Sequence, residues 1–254
     1  VQDSKLRFRI FKNNLLYWVV CILSGLTAIP LLAILGEVLI KGWEQLGWSF
    51  LTEATPNAYK AMMAMQAGET IPGGIANGIV GTFLMLFLAA IVAIPVGIFC
   101  GICLSEYKGN WFATLVSYLT DLLQGTPSII IGIITYIWVV VPMKGYSAFA
   151  GSVALFIMML PLIIRSTEET MKILPDTLKE AGLALGGSYW RVMLQVMLPS
   201  AFGSIFTGIL LAISRVVGET APLMFTALGG AAISWNMGKP MSAVPLLIWE
   251  FFND

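Results

Sequence analysis

Histidine does not occur in this chain of 254 residues. Its absence removes the usual general base, the Ser-His-Asp arrangement and the commonest metal ligand together. Charge is also scarce: 11% of residues are charged and 58% hydrophobic, with a mean hydropathy of +0.87, against about 25% charged in soluble domains. A formal net charge of zero leaves no whole-chain field to attract nucleic acid. No G-x-x-x-x-G-K-[ST] phosphate loop is present, so any ATP that drives this protein must be bound by another chain. Cysteine is limited to Cys21, Cys100 and Cys103, all inside or at the edge of apolar runs, and no extracellular disulfide framework is suggested. Cys100 and Cys103 spell C-x-x-C without the βαβ context of a redox pair, and read as small side chains compatible with a membrane.

The apolar residues fall into long runs, which predicts an all-α polytopic membrane protein with one membrane domain. Lys5, Arg7, Arg9 and Lys12 precede the first run as in a signal peptide. That run is too long and lacks a small-residue cleavage site, so residues 1–14 read as a cytoplasmic segment before a retained span. Five spans are expected: about Leu15 to Ile40 with Pro30 inside, Ile75 to Leu104, an amphipathic approach from Trp111 to Gln124 continuing as a span to Val141, Ala148 to Ile164, and Phe202 to Leu228. Between the first two lies a polar loop, 41–74, opened by the interface-suited rings of Trp43 and Trp48. A mixed segment with helical periodicity, 165–199, separates the last two, and a tail follows over 229–254.

Cytoplasmic loops carry the excess of Lys and Arg. With the N-terminus inside, Lys5, Arg7, Arg9, Lys12, Lys108, Arg165, Lys172, Lys179 and Arg191 fall on the inner side, and Lys41, Lys60, Lys144 and Lys239 on the outer. Nine against four predicts a cytoplasmic N-terminus, a cytoplasmic 165–199 segment, and periplasmic 41–74 and 229–254.

Arg215 is left alone within a span, four residues before Glu219. On a helix the two share a face and pair. Charge at membrane depth marks a substrate path, although a pair that only locks helix packing is the structural alternative. A guanidinium suits an oxyanion, because its planar fork donates two hydrogen bonds and keeps its charge. Thr220 and Pro222 add a hydroxyl and a kink beside it.

In the mixed segment, Glu180-Ala181-Gly182 is followed by Gly186 and, thirteen residues later, by Pro199 closing Val196-Met-Leu198-Pro199. This spacing resembles the E-A-A, three residues, G, nine residues, I-x-L-P signature of permease subunits of ATP-binding-cassette importers. Gly182 stands where the second Ala is usual and Val196 where Ile is usual. The resemblance implies a type I importer permease fold, in which Glu180, Ala181, Gly182 and Gly186 belong to coupling helices that dock on the ATPase.

Ser214-Arg215-Val-Val-Gly218-Glu219-Thr220-Ala221-Pro222-Leu-Met-Phe225-Thr226, with Gln124-Gly-Thr126-Pro127-Ser128, Arg165-Ser-Thr167-Glu168 and Gly73-Gly74-Ile-Ala-Asn77, is similar to the PstA-type permeases of phosphate importers. The likeness extends over most of the chain after about residue 70. It implies a non-enzymatic subunit of the bacterial inner membrane. Its expected partners are a homologous PstC-type permease, a PstB-type ATPase dimer that binds ATP and Mg, and a periplasmic PstS-type phosphate-binding protein, with no cofactor on this chain. Arg215, Glu219, Thr220, Thr126, Ser128 and Arg165 are the implied pathway residues. Six core spans are usual in that family, so the last is expected to be missing after the tail. The alternatives are a sulfate or molybdate importer, an ATPase-independent channel or secondary transporter, and a non-transporting scaffold.

Other features read blandly. Gly97 to Gly101 and Gly203 to Gly208 suit close helix packing. Met62-Met63-Ala-Met65 lacks the histidine or wider methionine cluster of a copper site. Arg165 reads equally as a snorkelling anchor or a gate residue.

Overall fold

The computed structural model describes residues 2–43, 46–56, 58–68, 73–107 and 109–253, without the side chains of residues 2–4, 58, 60–61, 65 and 252–253. Lys108 and the side chains of Lys60 and Met65, used in the charge count and the methionine run, lie outside the described residues. The chain divides into two units, Val1–Phe50 and Leu51–Asp254.

The first unit is built on α1, a single helix over Gln2–Gly42 with Pro30 inside it. The basic residues Lys5 to Lys12 are therefore continuous with the apolar run in one helix. Leu15, Trp18, Leu23, Leu32 and Leu39 are all exposed. Apolar side chains on every face of a helix suit lipid, not a one-sided core.

The helix α2, Trp48–Thr52, crosses the division, and α3, Ala58–Ala67, follows. The second unit then contains α4, Ala76–Glu106, and α5, Trp111–Gly125. It continues with α6, Ser128–Met143, and α7, Ala148–Ile173. A short helix α8, Asp176–Ala184, leads to α9, Tyr189–Val217, then α10, Ala221–Thr226, and α11, Val244–Asn253.

Among the described residues, α4, α7, α9 and the Lys5–Gly42 part of α1 are long and apolar enough to cross a membrane. The expected third span is instead two helices, α5 and α6, bent by 107° to each other, and makes a fifth span only if the pair is counted as one. Asn110 caps α5, its side chain accepting from the Phe112 amide at 3.1 Å. Pro127 breaks the pair, since the residue before a proline is pushed out of the helical region. Thr126 accordingly has an extended ψ of 130°.

Two further boundaries differ from expectation. The fourth span does not stop at Ile164; α7 runs to Ile173 and ends before Pro175 for the same steric reason. The fifth begins earlier and ends earlier than 202–228, as α9 runs from Tyr189 to Val217 and stops at Gly218. Both α6 and α9 contain a π-helical turn, Tyr136–Val140 and Met193–Met197. Each π turn ends two residues before a proline, Pro142 and Pro199. A proline supplies no amide and crowds the carbonyl four residues back, and the wider turn relieves both.

Close helix contacts are set by glycine. A Cβ on Gly97 would stand 2.7 Å from the Ile163 side chain, and one on Gly101 would stand 2.6 Å from Thr167. These two positions, one turn apart on α4, bring it against α7 in a small-xxx-small contact. Met85, Ala89, Ala93, Leu155, Met159 and Ile163 form the buried seam there, joined by Ala212 and Val216 of α9. Phe83, Phe87, Phe202, Phe206 and Leu210 point outward and are exposed, as lipid or a partner helix permits.

The 229–254 tail is not a simple surface loop. Met241, Ser242 and Ala243 are buried. A Cβ on Gly81 would lie 2.0 Å from the Ser242 carbonyl oxygen, and Thr82 accepts from the Val244 amide at 2.9 Å. Asn77 ties the region further, donating to Gly230 O at 2.8 Å and to Thr55 Oγ1 at 3.0 Å.

Candidate functional site

The 165–199 segment resolves into the end of α7, the helix α8 and the start of α9. Pro175 and Asp176 open α8, an acidic group in the first turn complementing the helix dipole. Its end is a Schellman turn: the Gly187 amide donates to Gly182 O at 3.3 Å, and the Gly186 amide donates to Leu183 O at 2.9 Å. Gly186 has φ +82°, the left-handed region that favours glycine. Gly182 fits for a separate reason, because a Cβ there would sit 2.7 Å from Val192 Cγ1. Glu180 and Ala181 are exposed. Lys179 of α8 and Tyr189 at the start of α9 both donate to Glu106 Oε2, and the Lys179 ammonium stands 5.0 Å from the Tyr189 ring centroid.

A second polar centre lies at Arg165. Its Nε donates to Asp121 Oδ1 at 2.9 Å and its Nη2 reaches the same oxygen at 2.5 Å. Nη2 also donates to Ser117 O and Oγ, at 2.9 and 2.8 Å. Nη1 donates to Glu168 Oε2 at 2.5 Å, and Lys172 donates to Glu168 Oε1 at 2.5 Å. Arg165 is thus a tie between α7 and α5, not a snorkelling side chain. A cleft of about 450 Å³ opens beside it, with Asp121, Gln124, Ser166, Glu169, Gly208 and Leu211 in its wall.

Arg215 occupies the last turn of α9 and is exposed. Glu219 lies beyond the helix end and half-buried. The expected pair is not made: among the described residues Arg215 has no ion pair, because Gly218 ends the helix before the fourth residue is reached. Leu211, in the wall of the cleft, precedes Arg215 by one turn on the same face of α9. A stripe of Gly208, Leu211 and Arg215 therefore climbs away from Arg165.

Thr126 and Ser128 flank Pro127 at the α5–α6 bend, and the Thr126 hydroxyl is engaged with Leu122 O at 2.6 Å. Thr220 precedes α10 and makes no side-chain cap. α6 and α10 pack together: a Cβ on Gly132 would lie 2.8 Å from Pro222 Cα. The helices introduced by Ser128 and by Thr220 thus meet. Asp121 and Glu106 were not among the expected site residues. Each is the one carboxylate of a mostly apolar helix, and that isolation was the signal available in the sequence.

Residues 93–249 match the family model described as the binding-protein-dependent transport system inner membrane component. The PstA phosphate transport permease of Yersinia pestis is 37% identical over 222 residues, covering 87% of this chain and 72% of its own length. The chain belongs to this family of permeases, in its PstA branch. The PstA protein of Haemophilus influenzae is 34% identical, over 86% of this chain and 74% of its own length. For PstA 1 of Mycobacterium tuberculosis the identity is 33%, over 87% of this chain and 71% of its own. Among solved structures, an inward-facing MetNI methionine ABC transporter chain aligns with a TM-score of 0.53 at 18% identity, covering 76% of this permease and 80% of that chain. That likeness is one of fold. It accords with the helical membrane architecture described above.

Proposed function

We propose that this permease forms, with a second homologous permease, the path for ATP-driven import of inorganic phosphate across the bacterial inner membrane. The observation that carries the reading is the similarity to phosphate transport permeases over 87% of the chain. Arg165 in the wall of the cleft, with Arg215 one helical turn beyond the cleft residue Leu211, supports it, since a guanidinium is the side chain best matched to a tetrahedral oxyanion.

In this reading a periplasmic binding protein delivers phosphate to the outer mouth. An ATPase dimer, which carries ATP and Mg, docks on the exposed Glu180–Ala181 face of α8, and this chain binds no cofactor. The N-terminus and α8 lie in the cytoplasm, by the excess of Lys and Arg on that side. Arg215 attracts the anion, and having no ion pair among the described residues it presents its fork to cargo. Glu219 adds negative charge close enough in sequence to keep the anion weakly held, and Thr126, Ser128 and Thr220 offer neutral hydrogen bonds where the helices break.

The test is ATP-dependent uptake of labelled phosphate into proteoliposomes holding the full-length chain, the second permease, the ATPase and the binding protein, challenged with excess sulfate. Uptake that resists sulfate supports phosphate; uptake that sulfate abolishes moves the assignment to the sulfate class, and uptake without ATP removes the importer.

A further inference from the structure

The guanidinium of Arg165 is almost fully engaged. Asp121 Oδ1 bridges Nε and Nη2, Ser117 takes Nη2 through both its carbonyl and its hydroxyl, and Glu168 takes Nη1. The Nε/Nη2 edge is the one that presents two parallel N–H groups to a carboxylate or phosphate. Asp121 therefore occupies the place that an oxyanion in the cleft would take.

The partners of Arg165 differ in how easily they leave. The Glu168 side chain is 5% exposed and its other oxygen is held by Lys172. Removing it from Arg165 would leave a poorly compensated buried charge. The Asp121 side chain is 58% exposed, and Arg165 is its one partner among the described residues. On the Asp121 side the pair therefore meets water, which screens it and can take over solvation of the departing carboxylate, while Arg165 itself is 19% exposed. Asp121 is the displaceable member, and it faces the cleft.

We propose that Asp121 is a resident counter-ion for an oxyanion position at Arg165: the cargo anion binds the Nε/Nη2 edge when Asp121 swings out, and is expelled when Asp121 returns. The charge count favours this exchange. Arg165 and Lys172 are balanced by Asp121 and Glu168, and Glu169 adds a further negative charge at the cleft wall. With Asp121 in place the site is thus net negative and repels the anion, whereas with Asp121 withdrawn it is balanced. The identity of the anion as phosphate rests on the function proposed above; the exchange at Arg165 does not.

The experiment is equilibrium binding of labelled inorganic phosphate, and separately of labelled sulfate, to the whole transporter in nanodiscs without its binding protein. Asp121→Asn keeps the shape and removes the charge, so it should tighten binding at least about tenfold and slow uptake by retaining the anion. Asp121→Glu should behave as the unaltered protein, and Arg165→Gln added to Asp121→Asn should abolish the gain. A gain for phosphate supports both proposals, and a gain for sulfate alone supports the exchange while overturning the phosphate reading. No gain for either anion, or a gain that survives Arg165→Gln, overturns the counter-ion proposal and leaves phosphate uptake to be judged by its own assay.

Discussion

Lys179 on the short helix Asp176–Ala184 donates to Glu106, the last residue of the long helix Ala76–Glu106, across 73 positions of sequence. The side chains are 23% and 16% exposed, so solvent screens this pair less than a surface one. Tyr189, at the start of α9, donates to the same oxygen. One carboxylate therefore joins the helix proposed to meet the ATPase to two spanning helices. Glu106→Gln weakens that connection while leaving the exposed face of α8 intact. Residues on such a connection modulate coupling by about 0.5–2 kcal/mol, so phosphate taken up per ATP hydrolysed is expected to fall about 2- to 30-fold, with ATPase activity retained. A parallel loss of both activities would mean that Glu106 serves folding alone.

Gly182 departs from the usual family residue for a local reason. A methyl group there meets Val192 Cγ1 at 2.7 Å and Cγ2 at 3.0 Å, and Val192 is itself buried. Gly182→Ala should therefore destabilise the docking of α8 by about 1–3 kcal/mol despite better helix propensity. Combined with Val192→Ala it should recover most of that loss. Hydrogen exchange of the α8 amides reads the effect; additive losses in the double variant would show that the two positions do not share this contact.

The helices of the bundle were legible as apolar runs, and the packing role of Gly97 and Gly101 followed from their small-xxx-small spacing. The 107° bend at Pro127 was not legible. A proline marks a break, but the angle is set by what the second helix packs on, here Pro222 against Gly132. The Arg215–Glu219 pair failed for the complementary reason: apolar content extended the expected span past Gly218, whereas the backbone ends its helix there. Asp121 was missed because its partner is 44 residues away, and helical periodicity reports only neighbours within a turn or two.

Two glycines of α9 that look alike in sequence should respond oppositely to alanine. At Gly208 a Cβ would fall 1.7 Å from Ser166 Oγ and 2.4 Å from Ser166 Cβ, so rotation of the hydroxyl alone does not make room. Gly203 has nothing within 4 Å. Gly208→Ala should lower the melting temperature of the detergent-solubilised transporter, by strain of about 1–3 kcal/mol. Gly203→Ala should leave it unchanged or raise it slightly, through up to about 1 kcal/mol of helix propensity. Equal effects at both positions would contradict the close α7–α9 contact.

The two arginines are separable by the same logic. Arg215 is exposed and has no ion pair among the described residues, so its charge does little for folding. Arg165 joins α7 to α5 through Ser117 and Asp121 and offsets the buried Glu168. Arg215→Gln is therefore expected to cut phosphate uptake by at least about tenfold, roughly 1.4 kcal/mol of lost anion stabilisation, with the melting temperature unchanged. Arg165→Gln should lower both, since among the described residues the buried Glu168 then keeps Lys172 alone as its cation. Uptake and thermal melting on the same preparations decide the matter. If Arg215→Gln melts early with normal uptake, Arg215 is a structural residue and the path lies elsewhere. If instead Arg165→Gln leaves stability untouched, the tie between α5 and α7 contributes less than its hydrogen bonds suggest, and Arg165 acts on the anion alone.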